Sequence, residues 1–511
     1  MLEKETNDMA ADPQLAATDG SQKGPISPIG DLPSRRWWAL AVIAIAQLMV
    51  VLDGTVVTIA LPSAQLALHI SDADRQWAIT AYTLAFGGLL LLGGRIGDYV
   101  GRKRIFLIGL VGFAAASTLG GAAQNAGTLF AARAIQGAFA ALLAPAALSL
   151  ITVTFTEAKE RSRAFAVYGA IAGAGAAIGL ILGGALTEYT SWRWCLFINV
   201  PIAAVAFVGG IILVTESKSH GQTSYDIPGA ILCTAGLVSL VYGFTEAAKP
   251  GVGWLSGQAL GLLGAAAVLL IAFVVVELRA ANPLLPMRIV LDRNRGGSYL
   301  ASLLSFAGMF AMFLFLSYYL QFNLGYSALK SGLAVLPFSG GVIVTSGVVP
   351  SLMPRTGPKP LMLVGLAMAA VGLATFTSIS DTSSWAGHVL PGELLMSVGF
   401  ALLLVPLSNL ALTGVSPDDA GVASAVLNST QQVGGTLGTS LLNTIYASAV
   451  TSFLKAHHLA PSGFNPLAAI HGYRVAFWIG AGLIAAAFVV VLALVKVGRT
   501  DVAPDAPRVA G

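Results

Sequence analysis

Three ionisable residues, Asp53, Arg133 and Glu393, stand far inside apolar stretches of this 511-residue sequence. A charge at membrane depth costs about 2.5 to 3.5 kcal/mol on insertion scales, so each is expected to have a partner and a task. Asp53 lies nine residues before Pro62, Arg133 eight after Asn125 and Glu393 eight after Trp385. At the helical rise these positions share a depth of roughly 12 to 14 Å below one end of their segments. The chemistry open to such a set is proton carriage. Burial favours the neutral carboxyl and a nearby guanidinium favours the anion, so a pairing that opens and closes ties proton affinity to conformation. Asp53 is the candidate proton carrier and Arg133 its electrostatic neighbour. The plainer alternative is a permanent ion pair that only fixes packing. Glu393 is a candidate for a substrate cavity, with Gln136 beside it in that role; the alternative for Glu393 is a vestibule carboxylate wetted from outside.

The elements that hold these residues must be membrane helices. Hydrophobic residues make up 56% and charged residues 10%, against about 25% charged in a soluble domain. That balance excludes a disordered chain, a coiled coil and a soluble nucleic-acid binder. Fourteen apolar stretches run from 37–62 to 473–495, each bounded by charge, Gly, Pro or Asn. The polar segment 1–36 is expected to be a disordered cytoplasmic tail, and 496–511 a second tail on the same side. Alternate connecting segments hold 21 Lys and Arg against 6 on the other side, which places both termini inside. The basic balance therefore reports orientation in a lipid bilayer and gives no evidence for a nucleic-acid partner.

The segment GRIGDYVGRKR at 94–104 has a weak echo, PSLMPRTGPKP, at 350–360, where Gly357 and Lys359 match Gly101 and Lys103. This repeat divides the chain into six helices at 37–214, an inserted pair with its linkers at 215–296, and six helices at 297–495. Internal repeats of this kind typify secondary transporters, whose site lies near the midplane between halves. In the first loop Gly94 would let a neighbouring helix approach and Gly101 would permit a turn closed to other residues. Arg102 and Lys103 would stay at the anionic inner surface. Asp98 is expected to accept hydrogen bonds from a helix N-terminus across the half interface, making an inner gate; the alternative is a topology anchor made by the bases alone. Gly175, Gly179 and Gly183, with Gly184, give the fifth helix a ridge for close packing. Phe306, Phe310, Phe313, Tyr318, Tyr319 and Gln321 on the ninth would suit a bulky aromatic or cationic substrate, or else simple packing. The absence of any Gly-Lys dipeptide excludes a Walker loop and nucleotide hydrolysis. No metal or other cofactor is expected, and no enzymatic activity.

Six segments together resemble the major facilitator superfamily, and within it the fourteen-span drug:proton antiporters of the EmrB/QacA multidrug-exporter type. They are LDGTVVTIALP (52–62), GRIGDYVGRKR (94–104), AARAIQG (131–137), GAGAAIGLILGG (173–184), SWRWCLFINVPI (191–202) and LQFNLGYSALKSGLAVLP (320–337). The resemblance implies an all-α integral membrane protein with 14 transmembrane helices arranged 6 + 2 + 6. It implies that helices one, four, nine and twelve line a central cavity, so that Asp53, Arg133 and Glu393 would share one space. It also implies a monomer in a bacterial plasma membrane that uses a proton gradient to export drugs or other amphipathic small molecules by alternating access. A dedicated exporter of one metabolite, antibiotic or lipid-like compound, or a passive facilitator, would share these features. Two positions depart from the pattern. Leu180 follows Gly179 where the antiporter signature has proline, and Thr58 stands where the first-helix signature has asparagine.

Overall fold

Backbone groups in hydrocarbon must be paired within their own segment, so apolar stretches this long have helices as their solution. A computed structural model of the protein describes residues 33–218, 226–249, 252–280, 283–413, 415, 420–459 and 464–497. Most of the two expected tails, and part of the linkers around the inserted pair, lie outside these residues.

The first half consists of α1 (Pro33–Ala67), α2 (Trp77–Val100), α3 (Arg102–Gly121), α4 (Ala126–Thr154), α5 (Ala158–Tyr189), the short α6 (Trp194–Phe197) and α7 (Asn199–Leu213). The inserted pair is α8 (Ile227–Ala248) and α9 (Gly257–Arg279). After a short α10 (Met287–Val290), the second half comprises α11 (Arg293–Tyr318), α12 (Ala328–Thr356), α13 (Pro358–Thr375), α14 (Leu390–Leu412), α15 (Ala420–Ala456) and α16 (Pro466–Leu494). Among the described residues, 13 spans are long and apolar enough to cross a membrane, with α6 and α7 forming one of them. The fourteenth is α15, which has 37 residues. Its mean hydropathy is lowered by Thr436, Ser440, Asn443 and Thr444, all of which bond to α2, α8 or the loop between α1 and α2. The helix is polar because it is an interface.

The repeat seen in sequence has a structural counterpart. Gly101 (φ 121°) and Gly357 (φ 81°) turn the chain into α3 and α13 with positive φ, which side chains beyond Cα disfavour. Two residues on, Lys103 Nζ donates to the Ile211 carbonyl at 2.8 Å and Lys359 Nζ to the Leu492 carbonyl at 2.9 Å. Each lysine thus satisfies an end carbonyl on the last helix of its own half.

Within the first half α1 packs on α5 and α7, while α2 and α3 pack on α4. The close approach expected at Gly94 belongs to its neighbour. A Cβ on Gly93 would strike the Ala141 carbonyl, whereas one on Gly94 would meet Pro145 at an ordinary 3.5 Å. On α5, Gly175, Gly179 and Gly183 lie against Leu48, Thr55 and Val56 of α1, and Gly184 lies against Leu329 of α12. With Leu180 in place of proline, α5 runs unbroken for 32 residues.

The halves meet where α1 faces α11, α2 faces α15 and α5 faces α12. Hydrogen bonds between them gather at one end of the bundle. Thr83 pairs with Thr436 at 2.6 Å, Gln321 donates to the Ile59 carbonyl at 3.1 Å, and the Leu329 N–H donates to Glu188 at 3.0 Å. The inserted pair sits beside this seam, with α8 against both α2 and α15. Gln76 donates to Thr245 of α8 at 2.8 Å.

At the opposite end, among the described residues, Asp98 does not meet a helix N-terminus across the halves. Its Oδ1 is held by Arg102 Nε at 3.0 Å and Nη2 at 2.8 Å. The helix-terminus role falls instead to Glu216, which accepts the Lys103 and Arg104 N–H groups at 3.1 and 3.2 Å within the first half.

Candidate functional site

Asp53 is carried by the middle of α1, while Arg133 comes two turns into α4, whose start is fixed by Asn125 accepting the Thr128 N–H at 2.9 Å. Helical rise brings both to one depth, and the packing of the first bundle brings them into contact. Arg133 Nη1 donates to Asp53 Oδ2 at 2.5 Å and to Gln136 Oε1 at 2.5 Å. Asp53 Oδ1 accepts from Gln136 Nε2 at 2.7 Å and from Asn199 Nδ2 at 2.8 Å. Both amides also donate to the Ser117 hydroxyl, at 2.6 and 3.2 Å. Arg133 Nε donates to the Ala78 carbonyl at 2.9 Å, and its guanidinium lies 4.4 Å from the Tyr82 ring centroid. Asp53, Arg133, Gln136, Asn199 and Ser117 are all buried to within 1%.

The arrangement suits an ionised carboxylate balanced by one guanidinium. Three donors converge on two oxygens, so a proton delivered to Asp53 would turn an acceptor into a donor facing donors. It would also remove the charge that strengthens all three of these hydrogen bonds. Removing one partner from a buried, hydrogen-bonded pair costs about 3 to 5 kcal/mol. Neutralising Asp53 would therefore weaken its hold on Arg133.

The site's partners come from α1, α2, α3, α4 and α7, and among the described residues none of them bonds to Glu393. Glu393 lies on α14, fully buried, and neither carboxyl oxygen has a hydrogen-bond partner among the described residues. It is thus not a wetted vestibule group in this conformation. Gln136, expected at a substrate cavity, is a member of the Asp53 cluster. Sequence reasoning missed Ser117, Asn199 and Tyr82. The available signal was Asn199, an amide entering the apolar run of α7.

The aromatic candidates separate into two groups. Phe306, Phe310 and Phe313 join Phe338 and Phe400, with ring centroids 5.1 to 6.3 Å apart. Phe306 is buried, while Phe310 and Phe313 keep part of their surface accessible. Tyr318 and Gln321 belong instead to the seam between halves, while Tyr319 packs within the second half. The Tyr319 hydroxyl donates to the Ser380 carbonyl at 2.8 Å, and Tyr318 donates to Gln65 of α1.

Tyr318 also packs against Arg75, which sequence reasoning counted only as a loop charge. Arg75 is 1% exposed. Its guanidinium lies 4.1 Å from the Tyr318 ring centroid and 4.6 Å from that of Tyr446, both in the second half. Its Nε donates to Asn443 at 3.1 Å, and Asn443 returns a hydrogen bond to the Asp72 carbonyl at 2.9 Å. A cation from one half is thus clasped by two rings and an amide from the other.

The sequence profile of the Major Facilitator Superfamily matches residues 43–439. The puromycin resistance protein of Streptomyces alboniger is 47% identical over 485 residues, covering 93% of this chain and 96% of that relative. The cephamycin export protein of Amycolatopsis lactamdurans is 40% identical over 417 residues, covering 81% and 85%. Among solved structures, a bacterial homologue of the human lysosomal transporter Spinster, in an inward-facing and unoccupied conformation, superposes with a TM-score of 0.62 at 17% identity. That match covers 91% of this chain and 98% of the other.

Proposed function

Because the chain belongs to the major facilitator superfamily and is a multi-pass membrane transporter, we propose that it exports drug-like or antibiotic small molecules in exchange for protons, with both termini in the cytoplasm of a bacterial cell. The buried Asp53–Arg133 pair, ringed by Gln136, Asn199 and Ser117, is the observation that carries this reading.

The basic segments 94–104 and 158–163 put the Arg102 end of the bundle at the cytoplasm. The end closed by Arg75, Tyr318 and Thr83–Thr436 is then the outer one. In that frame the conformation is closed outside, with Asp53 ionised and paired to Arg133. Cargo enters from the cytoplasm, the outer seam parts, and a proton taken up by Asp53 loosens Arg133 and favours return. Release of the proton inside restores the pair. Phe310 and Phe313 offer apolar and cation–π contact for an aromatic or cationic cargo. The names of the two relatives, each tied to one antibiotic, favour a narrow cargo range over a broad one. The transporter works as a monomer in this scheme and needs no cofactor beyond the proton gradient.

The test is export by purified protein in vesicles with an imposed proton gradient. Wild type should export, and lose export when a protonophore is added. Asp53→Asn should lose gradient-driven export while still folding. Full gradient-driven export by Asp53→Asn, or export indifferent to the protonophore, would remove proton coupling at Asp53.

A further inference from the structure

The inserted pair has no role in the cycle above, yet its cytoplasmic junction holds two acids. Asp226 precedes α8 and caps it, with Oδ1 accepting the Gly229 N–H at 2.8 Å. Glu277 lies in the last turn of α9, and its Oε2 accepts the Leu285 N–H at 3.0 Å where the chain folds back. One oxygen of each carboxyl is left over. Asp226 Oδ2 and Glu277 Oε1 are buried and have no hydrogen-bond partner. Both flank the same point, since a Cβ built on Gly229 would stand 2.5 Å from Oδ2 and 2.9 Å from Oε1. Asp226 is 8% exposed and Glu277 3%.

Among the described residues no salt bridge reaches either acid. Arg279, two positions beyond Glu277, and Arg288 on α10 are both exposed. The last turns of α2 carry Arg95 and the Arg102-bound Asp98, and α15 bears no ionisable side chain from Ala420 until Tyr446. Two buried anions side by side without a cation repel strongly, whereas a carboxylic acid beside a carboxylate forms a strong hydrogen bond.

We propose that Asp226 and Glu277 hold one proton between them, forming a proton-binding site separate from Asp53 that fastens the cytoplasmic ends of α8 and α9. The bond that forms is O–H···O between Oδ2 and Oε1, with the proton drawn from the cytoplasm. The folded protein then binds one more proton here than the unfolded chain at neutral pH. By linkage, stability falls as pH rises until the proton is lost.

Thermal unfolding of the full-length protein in detergent, from about pH 5 to about pH 9, tests this. Asp226→Asn keeps the cap and carries its own N–H to Glu277, and Glu277→Gln supplies the same donor from the other side. The wild-type midpoint should fall towards alkaline pH more steeply than that of either variant. Both variants should match wild type in acid and exceed it in alkali, while Glu277→Ala should be less stable than Glu277→Gln throughout. Profiles of Asp226→Asn and Glu277→Gln that run parallel to wild type would overturn the proposal. So would an alkaline wild-type midpoint raised by sodium or potassium, since a metal cation would then occupy the place given to the proton.

Discussion

Replacing Arg75 by alanine removes the cation that the second half clasps. Each aromatic contact of a desolvated guanidinium is worth about 2 kcal/mol, and the bond to Asn443 about 1.5 to 3 kcal/mol. Asp72 adds little, because its side chain is 56% exposed. Opposed to these gains is the cost of burying the guanidinium, which is several kcal/mol even after relaxation and is aggravated here because Nη2 has no partner. The expected net is about 1 to 3 kcal/mol in favour of the closed seam, or roughly a 5- to 150-fold bias. Arg75→Ala should therefore populate a form open at the Tyr318 end. Spin labels at Leu66 and His458, both exposed and on opposite halves, would report it as a second, longer distance. The background would have Cys195 and Cys233 replaced by serine. Arg75→Lys should give an intermediate result, since a compact ammonium cannot lie flat between two rings. Identical distance distributions for wild type and Arg75→Ala would refute the clasp as a closing device.

Asn199→Ala withdraws one of the donors to Asp53 Oδ1 and should destabilise the purified protein by about 1.5 to 3 kcal/mol, the range for hydrogen bonds to charged groups. An unchanged unfolding midpoint would show that Gln136 and Arg133 suffice. Gly93→Ala should cost about 1 to 3 kcal/mol by overpacking α2 against the Ala141 carbonyl. Gly94→Ala should stay within about 0.5 kcal/mol. Equal midpoints for this pair of variants would contradict the helix contact described here.

What could be read before folding was whatever depended on depth and on charge. In a chain with so little charge, Asp53 and Arg133 are conspicuous, and helical rise converts their positions into a shared level. Gly101 and Lys103 were legible for a similar reason, since their echo at Gly357 and Lys359 survives as the same turn and the same end-capping bond. Depth carries no information about direction, however. Glu393 has the right level but sits in the other bundle, and Gly93 and Gly94 differ by only the 100° that separates adjacent residues on a helix. Ser117 and Asn199 were hidden because uncharged polar residues are tolerated in many membrane helices. Arg75 was hidden because its loop tucks beneath the second half, a fold-back that follows no sequence period.

The start of α2 joins the parts that the proposed cycle needs to move together. Arg75 reaches the second half, Gln76 braces the inserted pair, Ala78 and Tyr82 hold Arg133, and Thr83 returns to the second half. A proton on Asp53 would cancel the charge that fixes Arg133 Nη1, leaving the guanidinium attached through Ala78 and Tyr82. Arg133 would then be free to shift with α2 rather than against α1. The same short helix end forms much of the seam, so a change at the carboxylate need travel only a few residues to reach the clasp. Linkage makes this reciprocal. If proton uptake favours return to the closed seam, closing the seam must favour proton binding to the same extent, so that Asp53 and Arg75 measure one coupling from its two ends.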